Sequence, residues 1–469
     1  MRIRSSRGRA WLVLIAACIA TILSWAHAAR GEGGEPRYFA ITNARIVPVS
    51  GPVINNGTVV IAKGLIQAVG ANVAIPPEAW VIDGKGFTVY PGLIDAGTDL
   101  GLLKPEEISS GSRSRKSTVP SEIASGPEDR LGATPWRVAA DELKNDDKRI
   151  ATWRNAGFTS ALTLPDGGVF PGHGTIINLA GERPGDFVVK PAAGLSISLK
   201  PIGGFFSFPG SQMGTIAYVR QVFIDANWFA QAQPVYDANF TKFERLPYDR
   251  TERVINQSLR SNEIVLLPAN SAVQILRALR LADEWRISVV LLGGQEAYAV
   301  TDVLALKKIP VLVSLKWPER PKDADPEGEE TLRDLRVRDL APSAPGALAK
   351  VGVKFAFYSD GLVTPKDIFK NLRKALGAGL TADAALRAFT LDAAEILGVS
   401  DRLGSLEPGK IANVIVTDGD IFNEKTKVKH SFVDGRWFEV HEEAPPDKPG
   451  EKKPERHGEF PEADAAVAR

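Results

Sequence analysis

From Phe158 to Leu376 the chain repeats one pattern, a short continuous apolar run followed by a helical stretch. The runs are Phe158 to Leu164, Glu263 to Leu267, Ile287 to Leu292, Ile309 to Leu315 and Val353 to Tyr358. Helical periodicity covers Ala272 to Trp285, Glu296 to Lys307 and Pro365 to Leu376. A strand that is apolar on both faces must be covered on both, so the alternation implies parallel β/α units. Their number fits a (β/α)8 TIM-type barrel, although spacing alone also permits an open doubly wound sheet.

Both flanks have a different texture. Between Tyr38 and Val89 short strands alternate with tight turns. Thr58 to Ala62 and Leu65 to Val69 flank Lys63-Gly64, a hairpin signal with glycine at positive φ. The same texture returns at Ala412 to Val416 and around Asp434-Gly435. Neither piece alone has enough strands to bury a face, so the two are expected to form one small composite β-sandwich from 38–89 and 400–440. The β/α region, the barrel in the first of these readings, would then occupy 90–399.

The first residues read as a targeting signal. Arg2, Arg4, Arg7 and Arg9 precede an apolar run from Trp11 to Trp25, and Ala26-His27-Ala28 is a small-residue cleavage motif. The expectation is a signal peptide over 1–28, cleaved after Ala28, and a periplasmic or secreted protein. An uncleaved N-terminal anchor is the alternative, and lipidation at Cys18, the sole cysteine, a lesser one. A net charge of +1 gives no electrostatic case for nucleic acid or for a membrane partner beyond such an anchor. Lys104 to Asp147 and Trp317 to Pro342 are polar segments placed where barrels carry loops over the mouth. The tail 441–469 is rich in proline and charge and is expected to be disordered.

Tyr90-Pro91-Gly92-Leu93-Ile94-Asp95-Ala96-Gly97-Thr98-Asp99, with Ile41 to Val47 and Gly57-Thr58-Val59 before it, resembles the amidohydrolase superfamily of the imidazolonepropionase-like type. A second block, Leu391 to Gly398 followed by Gly404 to Asn413, is similar to that family's return from barrel to sandwich. The resemblance spans roughly Tyr38 to Val440. It implies the barrel with a composite domain, and hydrolysis of non-peptide C–N bonds assisted by one or two divalent metals.

The family's first strand carries His-x-His where this chain has Gly97 and Asp99. Pro268 and Leu292 stand where two further histidines are implied, whereas Asp360, in Tyr358-Ser359-Asp360-Gly361, matches the family's metal-binding and proton-transferring aspartate. Of five histidines, His27, His430, His441 and His457 lie outside the barrel segment. His173 alone lies within it, in the glycine-rich stretch Asp166 to Gly174. Asp360 is thus the candidate base, Asp360 and Asp99 the candidate metal ligands, and His173, Gly172, Gly174 and Asp99 the candidate ligand-binding residues. Lys190 and Lys200 lie where some relatives carry a carboxylated lysine.

An open catalytic metal site needs about three protein ligands. The donors available here predict no cofactor, or at most one weakly bound Mg²⁺ or Ca²⁺. The expectation is a ligand- or partner-binding barrel with weak or no hydrolysis. Its partners would be a small molecule and a possible homo- or hetero-oligomer. The alternative is a hydrolase of cyclic amides or dipeptide-like substrates, with an atypical metal site and Asp360 as base.

Overall fold

The structure is a computed structural model and describes residues 38–102, 130–202, 209–261, 263–320, 325 and 328–440. The leader, most of the Lys104 to Asp147 segment and the tail, together with His27, His441, His457 and Cys18, lie outside the described residues.

The chain opens with β1 (Tyr38–Ile46), β2 (Ile54–Ala62), β3 (Leu65–Gly70), β4 (Trp80–Asp83) and β5 (Thr88–Pro91). The central part carries β6 (Leu93–Thr98), α1 (Arg149–Asn155), β7 (Phe158–Thr163), β8 (Gly172–His173), β9 (Thr175–Asn178), β10 (Val188–Lys190), β11 (Leu195–Ser196), α2 (Gln212–Ala238) and α3 (Arg250–Arg260). Next come β12 (Ile264–Ala269), α4 (Ala272–Trp285), β13 (Ser288–Gly293), α5 (Thr301–Lys307), β14 (Val311–Ser314), α6 (Leu332–Leu340), α7 (Ala344–Lys350), β15 (Phe355–Tyr358), α8 (Pro365–Gly377), α9 (Ala382–Phe389) and α10 (Leu391–Ile396). The last three strands are β16 (Val414–Thr417), β17 (Val428–Val433) and β18 (Arg436–Glu439).

Strands from both flanks share one eight-stranded sheet in the order β18-β17-β16-β5-β1-β2-β3, with β4 paired to β1. The sheet curls so that its β3 edge meets the stretch leading into β16: Ile66 N donates to Lys410 O at 2.8 Å, and Ala412 N donates to Gly64 O at 2.8 Å. One apolar core, with Phe39, Ile41, Val59, Val414 and Phe432 in it, fills the curl. The β2–β3 turn puts both Lys63 (φ 52°) and Gly64 (φ 84°) in the left-handed region, which gives the hairpin the twist of its strands.

The central strands form two sheets, β10-β9-β7-β6 and β15-β14-β13-β12-β11-β8. Strands β11 to β15 pair in parallel, as do β6 and β7. The expected all-parallel order fails at β8 and β9, which run antiparallel to β11 and β7. No helix occupies the short glycine-rich link after β7, so the chain has no crossover and doubles back beside the strand it has just left.

The two sheets are joined at both edges. Ser359 N, after β15, donates to Asp95 Oδ1 on β6 at 3.0 Å. At the other edge Gly174 N donates to Gly194 O at 3.0 Å and Ala193 N to Gly174 O at 2.8 Å. Side chains alternate between two cores. Phe158, Val265, Leu267, Leu291, Val313 and Phe357 meet the surrounding helices. Ile94, Leu162, Leu266, Val290, Leu312 and Ala356 face one another between the sheets, closed off beneath by Ala393, Ala394 and Leu397. The helices begin where side-chain oxygens cap them: Asp249 for α3, Ser271 with a reciprocal Gln274 for α4, and Thr364 ahead of Pro365 for α8.

Candidate functional site

The parallel strands finish at a common end, where β14 and β15 deliver Ser314 and Tyr358 side by side. Asp360 follows two residues later in the left-handed region (φ 49°), with Gly361 (φ 74°) completing the turn. Ser314 Oγ donates to Asp360 Oδ2 at 2.8 Å and accepts from Lys316 N at 3.1 Å. Burial, and then the charge of Asp360, push the Tyr358 phenol well above its usual range, so it stays protonated.

Apolar residues stand beside them. Leu164 and Leu292 pack on the inner core. Pro268 alternates with Leu266 and so shares its inward face. A β-carbon built on Gly97 would lie 3.0 Å from Tyr358 Cδ2 and 3.3 Å from Tyr358 Cβ; the tyrosine fills the space a side chain there would need.

The other residues marked by the sequence do not join Asp360. Asp99 is held by Arg149 at the start of α1, whose Nη1 lies 2.6 Å from Asp99 Oδ1 and whose Nη2 also grips Asp147 at 2.7 Å. His173 is not a loop residue at the mouth. It sits in β8 opposite Leu195, which is level with Val265 near the start of β12, at the opposite end of the strands from Asp360. The imidazole is buried, with Nε2 at 3.3 Å from both Ser258 Oγ and Glu263 Oε2. Burial opposes its charge, but the hydrogen bond and the charge of Glu263 outweigh it, and the net pKa is raised; Glu263 is correspondingly lowered.

Gly172 and Gly174 are glycines for packing. A β-carbon on Gly172 (φ 126°) would lie 2.5 Å from Arg137 O, and one on Gly174 would lie 2.7 Å from Leu164 Cδ2. Lys190 donates to Leu397 O at 3.0 Å and Lys200 is exposed, so neither faces Asp360. Arg183, Arg220 and Lys354 pair with Asp186, Glu284 and Glu395. Among the described residues, no three His, Cys, Asp or Glu side chains converge as metal ligands would.

Sequence reasoning missed Asp95. It is fully buried and accepts from Ser359 N at 3.0 Å, Gly97 N at 3.3 Å and Trp153 Nε1 at 3.4 Å. Burial pushes its carboxyl up to about 6, against the pull of these donors. The only hint was a charged residue inside an otherwise apolar run. Ser314 and Tyr358 carried no signal at all. Asn413 proves to be the joint between the curled sheet and the central strands, donating to Ser160 Oγ at 2.9 Å and Asn178 Oδ1 at 2.8 Å while accepting from Asp434 N at 2.8 Å.

A family model described as "Amidohydrolase family" matches residues 313–438. The crystal structure of an amidohydrolase from Thermotoga maritima superposes with a TM-score of 0.70 at 26% identity, covering 86% of this chain and 100% of that one. Over residues 313–438 the chain matches the amidohydrolase family, and over most of its length it shares the fold of a solved amidohydrolase. Members of the superfamily imply a TIM barrel with a composite domain. Among curated proteins, the amidohydrolase tasK of Hapsidospora irregularis is 21% identical over 420 residues, 81% of this chain and 39% of that protein. A 5-methylthioadenosine/S-adenosylhomocysteine deaminase of Teredinibacter turnerae is 36% identical over 83 residues, 15% of this chain and 19% of its own length. The chain therefore spans well under half the length of these curated relatives. Among the described residues, no helix is long and apolar enough to cross a membrane.

Proposed function

We propose that this chain is an exported superfamily barrel that binds a small molecule at the Asp360 end and hydrolyses it weakly or not at all, its ancestral metal site having been lost. In this reading the two central sheets form one closed wall. The eight positions around it are β6, β7, the β8–β9 pair, β11, β12, β13, β14 and β15, joined at the Asp95–Ser359 and Gly174–Gly194 seams. The type nearest this chain within the superfamily is the imidazolonepropionase-like one.

One observation carries the proposal: Tyr358 stands in the space above Gly97. The superfamily resemblance implies a metal-binding imidazole there, and a tyrosine that stays protonated is no substitute. Pro268 and Leu292 offer no side-chain lone pair at the other implied positions, and Arg149 holds one of the two carboxylate oxygens of Asp99. Asp360 alone falls short of the roughly three protein ligands an open metal site uses, so the donor set does not fit a catalytic divalent ion. Without a metal, Asp360 would act only as a general base worth about 10²–10⁴-fold, small beside the acceleration amide hydrolysis needs. A carboxylate–serine pair on an apolar rim suits a ligand that offers a hydrogen-bond donor and an apolar body.

The second reading, a hydrolase of non-peptide C–N bonds with Asp360 as base, is favoured by the retained Asp360 inside the family match. Turnover assays of purified protein on dipeptides, hydantoins and lactams separate the two. Our reading expects none above background. Turnover abolished by Asp360→Asn would establish the second. Export is tested by the N-terminus of protein purified from its own host, expected at Ala29.

A further inference from the structure

Helix α2 runs for 27 residues, about 40 Å at 1.5 Å per residue. Its core-facing side is built from Ile216, Val219, Val222, Phe223 and Ala226. On the opposite side runs a second line, Met213, Ala217, Ile224, Trp228, Gln231 and Val235, every residue of it exposed and only Gln231 polar. Met213 is 81% exposed, Ile224 50%, Trp228 54% and Val235 53%. At 100° per residue the six fall within a stripe roughly 60° wide. A surface helix should be polar on that face, and a solvent-facing apolar line at three-, four- and seven-residue steps is the pattern of a helix–helix seam.

From the structure we infer that this stripe is a self-association surface, occupied by α2 of a second copy of this chain lying antiparallel across a two-fold axis at Ile224. The stripe complements its own reversed copy. Pairing Ile224 with its counterpart sets Met213 against Val235, an apolar contact at each end of the seam. Ala217 then faces Gln231, where the small methyl leaves room for the longer side chain. The same register brings Arg220, which keeps its pair with Glu284, opposite Trp228 at the seam's edge, and sets the Asn227 amide opposite the carbonyl oxygen of Gln221, whose nitrogen is held by Asp225. Antiparallel helices also oppose their macrodipoles favourably.

The stripe continues past the body of the protein. No residue from 227 to 250 is buried, yet the return loop adds Phe240 (66% exposed) and Phe243 (53% exposed). Both ends of this projection are fixed to the body by Arg130, which grips Asp225 on α2 and, at 3.0 Å, Asp249 ahead of α3. At on the order of 100 Å² for each half-exposed large side chain, the stripe and these two rings cover about 1,200 Å² in a pair. That total reaches the lower limit of specific interfaces, and the roughly 600 Å² on each copy stands at the top of the range of apolar patches a monomer leaves in water. Asp237 and Glu244 balance Lys242 and Arg245 along the projection, a neutral mixture that two copies can pair and an anionic bilayer would not select.

The test is sedimentation equilibrium of the full chain beside Ile224→Glu and Trp228→Glu, both exposed positions where circular dichroism should confirm an unchanged fold. We expect a dimer whose dissociation constant rises at least roughly thirtyfold in each variant. In a Cys18→Ser background, Ile224→Cys should then oxidise to a covalent dimer, because the axis places the residue against its own copy. A monomer at all concentrations, or a dimer indifferent to both glutamate variants, overturns the inference. So does a monomer that sediments with phosphatidylcholine vesicles and loses that property in the variants, since the stripe would then meet lipid.

Discussion

The two ends of the central strands make opposite use of titratable groups. At the finishing end stand Asp360, Ser314 and Tyr358, a carboxylate and two hydroxyls on an apolar rim. At the starting end His173 and Glu263 form an ion pair, with Ser258 at the same ring nitrogen. The imidazole within the barrel segment, the group most useful for chemistry near neutral pH, is spent on fastening β8 to α3 and to the start of β12. The end where this superfamily would need imidazole has none among its described residues. Possession of a histidine in a barrel sequence therefore says little; the end of the strand it stands on decides its role.

Four changes would break or sharpen this contrast. Tyr358→Ala removes the ring that fills the mouth beneath Asp360, and a cost of about 3–5 kcal/mol in urea unfolding is expected. A cost below about 1 kcal/mol would mean the ring is not packed there. His173→Ala leaves Glu263 half-buried without its partner and is expected to cost about 2–3 kcal/mol.

That pair also has a pH signature. The raised pKa of His173 means its contribution is complete below about 6.5 and is lost as pH rises through the folded value. The lowered pKa of Glu263 means its contribution is present above about 4.5 and is lost as pH falls through the folded value. The clasp is thus strongest between those limits, and His173→Ala should flatten the stability profile on the alkaline side. An unchanged profile would place the titration elsewhere.

Asp95, bonded to the backbone of Ser359 beside Asp360, behaves in the reverse way for an acid. Its carboxyl is raised from 3.8 to about 6, so its protonated form favours the fold. That stability is complete below pH 3.8 and lost as pH rises through about 6. Asp95→Asn should remove this slope and gain about 1–2 kcal/mol at pH 8. The gain is less than the full shift implies, because an amide nitrogen would face the Trp153 indole donor. A loss at pH 8 would show the charged form to be the stabilising one. The smallest effect is expected at the mouth itself: Asp360→Asn keeps an acceptor for Ser314 and should move stability by less than about 1 kcal/mol.

Much of the scaffold was legible in the chain. Continuous apolar runs marked β7 and β12 to β15, because a strand buried on both faces tolerates little else. Hairpin chemistry at Lys63-Gly64 and Asp434-Gly435 marked the flanking strands. The antiparallel β8–β9 return was not legible, since it arises from a missing helix and not from any residue pattern. Of the candidate site the sequence marked Asp360, and the structure adds Ser314 and Tyr358 beside it. Periodicity could not tell that His173 would lie at the starting end, nor that Arg149, fifty positions along, would take Asp99. The role of Tyr358 depends on the facing Gly97, a pairing between the first and last strands that no local pattern contains.

The central claim is that the Asp360 end cannot hold a catalytic metal. Isothermal titration of the metal-free full chain with Zn²⁺, Mn²⁺ and Mg²⁺, repeated on Asp360→Asn, tests it most directly. The account predicts no stoichiometric binding tighter than about millimolar, the weak end of oxygen-ligand sites, and no difference between the two proteins. One ion bound per chain at micromolar affinity or better, and lost in Asp360→Asn, would contradict it.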